Sequence, residues 1–263
     1  MRIYKGVSAS PGLVVGQVSR LERHVETFEN GPFNPDREQQ MLTNAIHTAQ
    51  TELESMAERS ASTEQAIFLF QSMLLEDEGF MKEVRSYIAA GIGAAAAISR
   101  VGNRYADQLA NMADNPYMQL RSVDVLDATS RVLNILGNRP RVWLALDHPV
   151  ILAADILMPS DLFSVPSGMI LGIITSEGSG QSHAAIIARA MNIPGVVQVG
   201  RDFLDDCDGR TLILDATKGE CVLDPDSAAH QQAMIRICEL QREDLRLGQL
   251  RARPNLTPSG ETF

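Results

Sequence analysis

The stretch that decides the fold is Ser176-Glu-Gly-Ser-Gly-Gln-Ser-His-Ala-Ala-Ile-Ile-Ala-Arg-Ala-Met-Asn-Ile-Pro-Gly195, where a glycine-rich loop precedes a single histidine, His183. The apolar run 169–175 before the loop is short enough for a buried strand. After His183, apolar residues recur at helical spacing, at Ala184, Ile187, Ala188 and Met191. The pattern predicts a strand, a loop and a helix, with His183 at the start of the helix.

The position of His183 favours chemistry on an anion. Backbone N–H groups are free at a helix start, and the positive end of the helix dipole lies there. Gly178 and Gly180 allow the backbone to approach an anion closely. A neutral imidazole keeps a lone pair that can attack phosphorus. These properties predict that His183 carries a phosphoryl group.

Two other interpretations of the loop stay open at this point. A lone histidine on a helix is often structural. A dinucleotide fingerprint is the second alternative, because Gly178 and Gly180 match its first two glycines and Asp202 follows about twenty residues later. The third glycine of that fingerprint, which permits close packing of helix and strand, is replaced by His183.

Composition places the chain among globular proteins with substantial cores. It has 263 residues, of which 44% are hydrophobic, enough for one large or two medium domains. No apolar run approaches the roughly twenty residues of a membrane helix, and residues 1–6 lack the apolar core of a signal peptide. We therefore expect no membrane insertion and a cytoplasmic location.

Charge and metal-ligand patterns narrow the partners. The formal net charge of −10 argues against nucleic acid and favours a basic protein partner. Cys207, Cys221 and Cys238 are odd in number and widely spaced, and the histidines are scattered singly. We expect no disulfide framework, no zinc site and no other metal in this chain.

The predicted secondary structure changes along the chain from strands to helices and back to strands. Residues 1–20 indicate a turn followed by a strand, and strands return at 143–146, 150–153, 169–175, 195–199, 211–215 and 220–223. Between them Asn34 is a predicted N-cap, and helices are expected from there to about residue 56 and at 63–75, 79–90, 93–113 and 117–136, the last closed by Gly137. The helical block thus interrupts an α/β domain.

These boundaries define the expected domains. The α/β domain comprises 1–25 and 140–226, and the helical subdomain comprises 30–138. A C-terminal linker helix at 227–252 and a Pro- and Gly-rich linker at 253–263 follow.

Four segments together resemble the N-terminal half of enzyme I of the bacterial phosphoenolpyruvate:sugar phosphotransferase system. They are Gly6-Val-Ser-Ala-Ser-Pro-Gly12, then Ile67-Phe68 with Met73-Leu-Leu-Glu-Asp-Glu78, then Arg121 with Val123-Asp124 and Asp127, and finally Ser182-His-Ala-Ala-Ile-Ile-Ala-Arg189 with Ile193-Pro194. The last segment is shared with pyruvate phosphate dikinase and phosphoenolpyruvate synthase. The resemblance spans residues 1–252.

The resemblance implies a fold and a reaction. The α/β part is expected to be a swivelling phosphohistidine domain, a β/α sandwich, with the helical subdomain inserted. His183 Nε2 would accept a phosphoryl group from phosphoenolpyruvate and pass it to the phosphocarrier protein HPr. In the family, the domain that binds phosphoenolpyruvate and Mg²⁺ lies in a C-terminal half that this chain lacks. This half alone would need no cofactor and would exchange phosphate with HPr only.

The resemblance also implies site residues. Gly178, Ser182 and Thr175 would support the phosphate loop. Arg189 would contact the phosphate or form a surface or interdomain salt bridge. In the helical subdomain the expected partner-binding or interdomain residues are Glu76, Arg121, Gln71 and Leu69.

Several positions depart from the family pattern. The usual Gly-Gly-x-Thr-Ser-His loop is Gly178-Ser-Gly-Gln-Ser-His183 here. A threonine that bonds the other histidine nitrogen in some members is replaced near Leu162, so another group must set the tautomer. Leu126 replaces an arginine, and Gln71 replaces a histidine. Leu69 and Phe70 replace smaller or charged residues, and they would either widen an apolar docking patch or join the core. The substitutions at Gln181, Leu162 and Leu126 leave open a regulatory or scaffold relative that binds a carrier without transfer.

Overall fold

A computed structural model describes residues 1–21, 33–60, 62–138, 146–163, 165–166 and 168–251. The strands are β1 Arg2–Lys5, β2 Val7–Ser10, β3 Leu13–Arg20, β4 Val150–Ala154, β5 Ile170–Thr175, β6 Gly195–Val197, β7 Thr211–Asp215 and β8 Glu220–Leu223. The helices are α1 Pro35–Glu58, α2 Ser62–Glu76, α3 Glu78–Ala89, α4 Ala94–Ala110, α5 Pro116–Leu136, α6 Pro159–Phe163, α7 His183–Ala190, α8 Arg201–Cys207 and α9 Ser227–Arg251.

The eight described strands form one mixed sheet in the order β1-β8-β7-β3-β4-β5-β6-β2. The central strands β3, β4, β5 and β6 run parallel, and the flanking pairs are antiparallel. All residues of β4 are buried, as expected of a parallel strand covered on both faces. The loop that leads to His183 leaves the carboxyl end of β5, the edge where parallel sheets commonly place ligand sites.

The helical block has its own core. Asn34 caps α1 by accepting the N–H groups of Asp36 and Arg37, as predicted. The apolar stripe of α1 is buried against the other helices of the block, including Phe80, Ile98 and Val132. A close approach of α4 and α5 at Gly102 completes the packing, because a Cβ there would lie 2.3 Å from Thr129 Cγ2.

Apolar contacts join the block to the sheet. Ile67 of α2 belongs to a cluster that also contains Leu162 of α6 and Ile187 of α7. The rings of Phe68 and Phe163 meet edge to face, with centroids 4.9 Å apart. The block and the sheet therefore contact each other through α2, α6 and α7, which places His183 beside the helices.

Most predicted elements are confirmed, and the differences have local causes. The N-terminal segment forms three short strands rather than one, with breaks at Gly6 and Gly12. The short helices α6 and α8 were not predicted, since five and seven residues carry little helical periodicity. The left-handed residue after α5 is Asn138, at φ 48°, rather than Gly137. Residues 143–145 and 252–263, which include part of a predicted strand and the predicted linker, lie outside the described residues.

The cysteines differ in accessibility, and this difference predicts their reactivity. Cys207 and Cys221 are buried in the sheet core, and burial raises the pKa of Cys207 to about 11 and that of Cys221 to about 12. Cys238 is exposed on α9. We expect a thiol reagent at pH 8 to modify Cys238 alone in the native protein, and all three cysteines after denaturation; peptide mapping distinguishes the two patterns.

The same thiols predict a pH dependence of stability. Above about pH 9 the unfolded chain loses thiol protons that the folded chain retains, so the free energy of unfolding falls as the pH rises from about 9 to 12. Urea titrations of the wild type and of a Cys207→Ala, Cys221→Ala double variant measure it. An equally steep fall in the variant would contradict this origin.

Within the part of the chain that the structure describes, no helix is both long and apolar enough to cross a membrane.

Candidate active site

The loop between β5 and α7 is built by its own side chains. Thr175 donates its hydroxyl to the carbonyl of Glu177, and Gly178 adopts φ 101°, in the left-handed region that favours glycine. Ser182 then caps α7, accepting the N–H of Ala185 at 3.2 Å. His183 is consequently the first residue of the helix, as the sequence predicted.

The N-terminal motif lies against this loop. Strand β2 pairs with β6, and Ala9 packs with Ala185 of α7 and Val197. A Cβ on Gly180 would lie 3.5 Å from the carbonyl oxygen of Ser8. Two segments far apart in the sequence, the opening motif and the histidine loop, thus form one structural unit.

The glycines of the loop are not equivalent. We expect Gly178→Ala to lower the free energy of unfolding by about 1–2 kcal/mol, because the alanine is held at φ 101°. Gly180→Ala is the matched control: its φ is not positive and its nearest neighbour lies at an ordinary contact distance. Urea unfolding of both variants checks the difference, and equal losses would contradict the backbone explanation.

His183 is held by a carboxylate from the helical block. Its Nδ1 lies 2.9 Å from Asp124 Oδ1 on α5, and the two side chains are 10% and 0% exposed. The other carboxylate oxygen of Asp124 accepts Arg121 Nη1 at 3.0 Å. Asp124 therefore links the histidine to a buried cation across the boundary between the α/β part and the helices.

Arg121 is enclosed by two aromatic rings. Its guanidinium carbon lies 4.6 Å from the ring centroid of Phe70 and 4.9 Å from that of Tyr117. Arg121 Nε donates to the Tyr117 hydroxyl at 3.1 Å, and Nη2 donates to the same oxygen. Phe70 is half-buried here, and it contributes to the site through this stack.

The carboxylate sits in an environment with opposing effects. Burial raises the pKa of Asp124, whereas the hydrogen bonds and charges of His183 and Arg121 lower it. The net direction is upward, because desolvation of the fully buried carboxylate dominates. Both oxygens have a hydrogen-bond partner, so the charged form is paired on both sides.

The arrangement leaves one ring nitrogen of His183 for chemistry. An ionised Asp124 can only accept, so the Nδ1 that faces it carries the proton. In that neutral tautomer Nε2 holds the lone pair. The site can therefore use Nε2 as a nucleophile while the carboxylate fixes the ring orientation.

A cavity of about 170 Å³ adjoins His183 between the two parts of the structure. Leu120 and Val123 of α5 line one side, and Ile173, Gly178 and Ser182 line the other. Its walls are largely apolar. The interface around the histidine is thus incompletely packed.

The structure places the predicted loop residues as follows. Gly178, Ser182 and Thr175 all belong to the loop or its cap, next to His183. Arg189, expected at the phosphate or in a salt bridge, instead donates Nη2 to the carbonyl of Gly180. Its position one and a half turns along α7 lets the side chain turn back and brace the loop.

The predicted residues of the helical block separate into surface and interior. Leu69 is 45% exposed on α2, so it is not a core residue, and Glu76 is exposed and accepts Gln50 Nε2 at 3.1 Å. Arg121 is buried beside Asp124. Gln71 is also buried, and its Nε2 donates to Asp127 at 3.0 Å. Gln71 thus lies on the inward face of α2, next to the contact between Asp127 and Ser160, where an interdomain role remains a prediction.

The role of Asp124 was not predicted. The sequence indicated that some group must replace the threonine near Leu162, and Leu162 is indeed buried in the apolar cluster. Asp124 lies 59 positions before His183, so no local pattern connects the two. The sequence signal that was available is its spacing of three from Arg121, on one helix face with Asp127.

Among the described residues, no group of three or more His, Cys, Asp or Glu side chains comes close enough together to hold a metal ion.

Comparison with known families identifies both parts of the structure. Residues 5–121 match the model described as PEP-utilising enzyme, N-terminal, and residues 146–219 match the PEP-utilising enzyme, mobile domain. The chain contains the N-terminal and mobile domains of the PEP-utilising enzyme family. The mobile-domain match contains the His183 loop, and the N-terminal match contains helices α1–α4.

Curated relatives of the chain have names that refer to phosphoryl transfer. The chain is 33% identical to the multiphosphoryl transfer protein of Rhodobacter capsulatus over 98% of its own length and 32% of the relative's. It is 30% identical to the phosphoenolpyruvate-protein phosphotransferase of Lactococcus lactis subsp. lactis, over 84% of its length and 40% of the relative's. The chain thus spans about a third to two fifths of the length of these relatives.

Solved structures agree with the fold. The N-terminal domain of Enzyme 1 (nitrogen) is 27% identical, with a TM-score of 0.61 over 90% of this chain and all of that one. The solution structure of an Enzyme I protein, 24% identical, has a TM-score of 0.68 and covers 90% of this chain. The predicted α/β fold class, a phosphohistidine domain with inserted helices, is confirmed. The dinucleotide-binding alternative is not favoured, since its third-glycine position holds a histidine bonded to Asp124.

Proposed function

We propose that this chain carries a phosphoryl group on His183 Nε2 and exchanges it with the phosphocarrier protein HPr. One observation carries the proposal: the Asp124 carboxylate engages Nδ1 and leaves the lone pair on Nε2. A structural histidine could satisfy either nitrogen. Here the bond is made by a buried carboxylate that is itself held by a buried arginine.

The transfer is an in-line displacement at phosphorus. Nε2 of His183 forms the new P–N bond while the P–N bond of the phosphorylated carrier breaks, and its electron pair returns to the carrier's imidazole. The proton on Nδ1 stays in the hydrogen bond to Asp124, whose negative charge stabilises the positive charge that develops on the ring. The protein mainly supplies positioning and electrostatic stabilisation.

The proposed binding site for the phosphoryl group consists of the loop and the start of α7. Gly178 brings the backbone close, and the N–H groups at the helix N-terminus favour an anion. Arg189 acts indirectly, because its guanidinium donates to the Gly180 carbonyl and supports the loop. A second cation lies behind His183, where Arg121 pairs with Asp124.

We place the docking surface for the carrier on α2. Leu69 and Met73 are exposed large apolar residues on this helix, and the acidic side chain of Glu76 is exposed beside them. An apolar patch with acidic neighbours complements a basic partner, which agrees with the net charge of −10. The helical subdomain 30–138 is then the carrier-binding part, and the α/β domain 1–25 and 140–226 is the phosphorylated part.

Charging from phosphoenolpyruvate requires more than this chain. The chain spans only part of its relatives' length, and we assign the binding of phosphoenolpyruvate and Mg²⁺ to the remainder, as the resemblance to enzyme I implies. The described residues take part as phosphoryl acceptor and donor.

The test is transfer from phosphorylated HPr. We expect mass spectrometry to find one phosphoryl group on His183, labile in acid and stable in base, as a phosphoimidazole is. Fresh unphosphorylated HPr should remove it. An unmodified His183, or an acid-stable phosphate on another residue, would contradict the proposal and favour a relative that binds a carrier without transfer.

A further inference from the structure

Helix α5 reaches into the α/β part with two carboxylates, not one. Asp124 binds His183, and Asp127, three residues later on the same face, binds Ser160 at the start of α6. Both side chains are buried, with 0% and 1% exposure for the two residues. The helical block therefore holds the α/β part at the histidine and at a second point.

The second point is a dense polar contact. One Asp127 oxygen accepts the Ser160 hydroxyl, and the other accepts the Ser160 backbone N–H at 2.9 Å and Gln71 Nε2 at 3.0 Å. The backbone bond lies at the N-terminus of α6, where an exposed N–H would otherwise lack a partner. Asp127 thus caps a helix that belongs to the other part of the fold.

Helix α6 connects this contact to the catalytic helix. Leu162 of α6 packs in the same apolar cluster as Ala184 and Ile187 of α7. Moving α6 away from α5 would therefore displace α7, and with it His183. We propose that Asp127 and Ser160 are positioning residues that hold His183 against Asp124, in the orientation that faces the carrier-docking helix α2.

Polar rather than apolar contacts suit this role. Hydrogen bonds to a charged group are strong but directional, so they hold one orientation and are lost when it changes. Packing near His183 is incomplete, since the 170 Å³ cavity lies between α5 and α7. Near His183, the orientation of the two parts is therefore set by the carboxylate contacts together with the apolar contacts of α2 with α6 and α7.

The experiment uses two variants of the full chain and one matched control. Ser160→Ala removes the hydroxyl bond and retains the backbone bond. Asp127→Asn removes the charge but can keep the partners. The retained amide oxygen accepts Gln71 Nε2 and the Ser160 backbone N–H, and the new amide nitrogen donates to the Ser160 hydroxyl. Ser122→Ala is the control, because that hydroxyl donates to the carbonyl of Gln119 within α5 and to no other group among the described residues.

The proposal rests on the proposed exchange with HPr, so the readout separates positioning from chemistry. We expect Ser160→Ala and Asp127→Asn to lower kcat for phosphate exchange with HPr by about threefold to tenfold. KM should not change, because the docking surface on α2 is intact. Labelling of His183 by phosphoramidate, a small donor that needs no docking, should fall less than kcat with HPr, because it depends on the bond to Asp124 but not on the orientation toward α2. Ser122→Ala should match the wild type in every assay.

Two results would overturn the inference. An unchanged kcat in both variants would show that the contact does not position His183. Parallel losses of kcat, phosphoramidate labelling and thermal stability would show a general structural role. If the wild type itself fails to exchange with HPr, the proposed function fails instead, and the assignment of Asp127 and Ser160 is overturned with it.

Discussion

Replacing His183 with alanine is expected to lower phosphoryl exchange with HPr by at least about 10⁴-fold, because the substitution removes the nucleophile itself. The His183 imidazole supplies the nitrogen that accepts the phosphoryl group. Its neighbours Ser182 and Ala184 offer no group of comparable nucleophilicity. Phosphoryl incorporation, followed by intact-protein mass spectrometry, should fall to background.

The fold should survive this change. Asp124 remains paired with Arg121 in the variant, so no isolated charge is left buried. His148→Ala is the matched control, since that histidine is half exposed and bonds Asp147 and Gln17 far from the loop. Incorporation that survives His183→Ala, or that disappears with His148→Ala, would refute the assignment of the nucleophile.

Asp124→Asn is expected to lower exchange by about 10²–10⁴-fold while His183 stays in place. A carboxylate only accepts, which keeps the proton on Nδ1. An amide can also donate to Nδ1, and in that pairing the proton moves to Nε2 and blocks the attacking lone pair. The amide also leaves the developing imidazolium without its counter-charge.

The loss should appear as a change in kcat, with KM for the carrier nearly unaltered, because Asp124 is buried away from the docking surface. Arg121 loses its ion pair, so we expect a stability loss of about 1–3 kcal/mol in urea unfolding. Asp114→Asn, at an exposed position before α5, serves as the control. Wild-type kcat in Asp124→Asn would rule out the tautomer role.

The long helices were predictable because their signal is local. In α1 the buried positions Leu42, Ala45, Ile46, Ala49 and Leu53 repeat at helical spacing, and Asn34 and Pro35 mark the start. The short helices α6 and α8 were not predictable. A helix of five to seven residues is stabilised mainly by tertiary contacts, here the capping of α6 by Asp127.

The same distinction between local and tertiary signals applies to the residues of the site. His183, Gly178 and Ser182 lie within six residues of each other, so the loop and cap could be predicted from their order. Arg189 was placed near the loop, but its hydrogen bond to Gly180 depends on a side-chain conformation that sequence does not specify. Gln71 was expected among the partner-binding or interdomain residues, but its bond to Asp127 arises only from helix packing, which turns it inward.

The sequence by itself determined the long helices, most strands, the insertion of helices into an α/β domain and the histidine proposed to carry the chemistry, because each depends on residues close together in the chain. Only the tertiary structure decided what orients that histidine. Asp124 and Asp127 come from α5, and their partners His183 and Ser160 come from segments beyond it. The physical reason is that these carboxylates act through burial and distance, and both arise only when the helical block packs against the sheet.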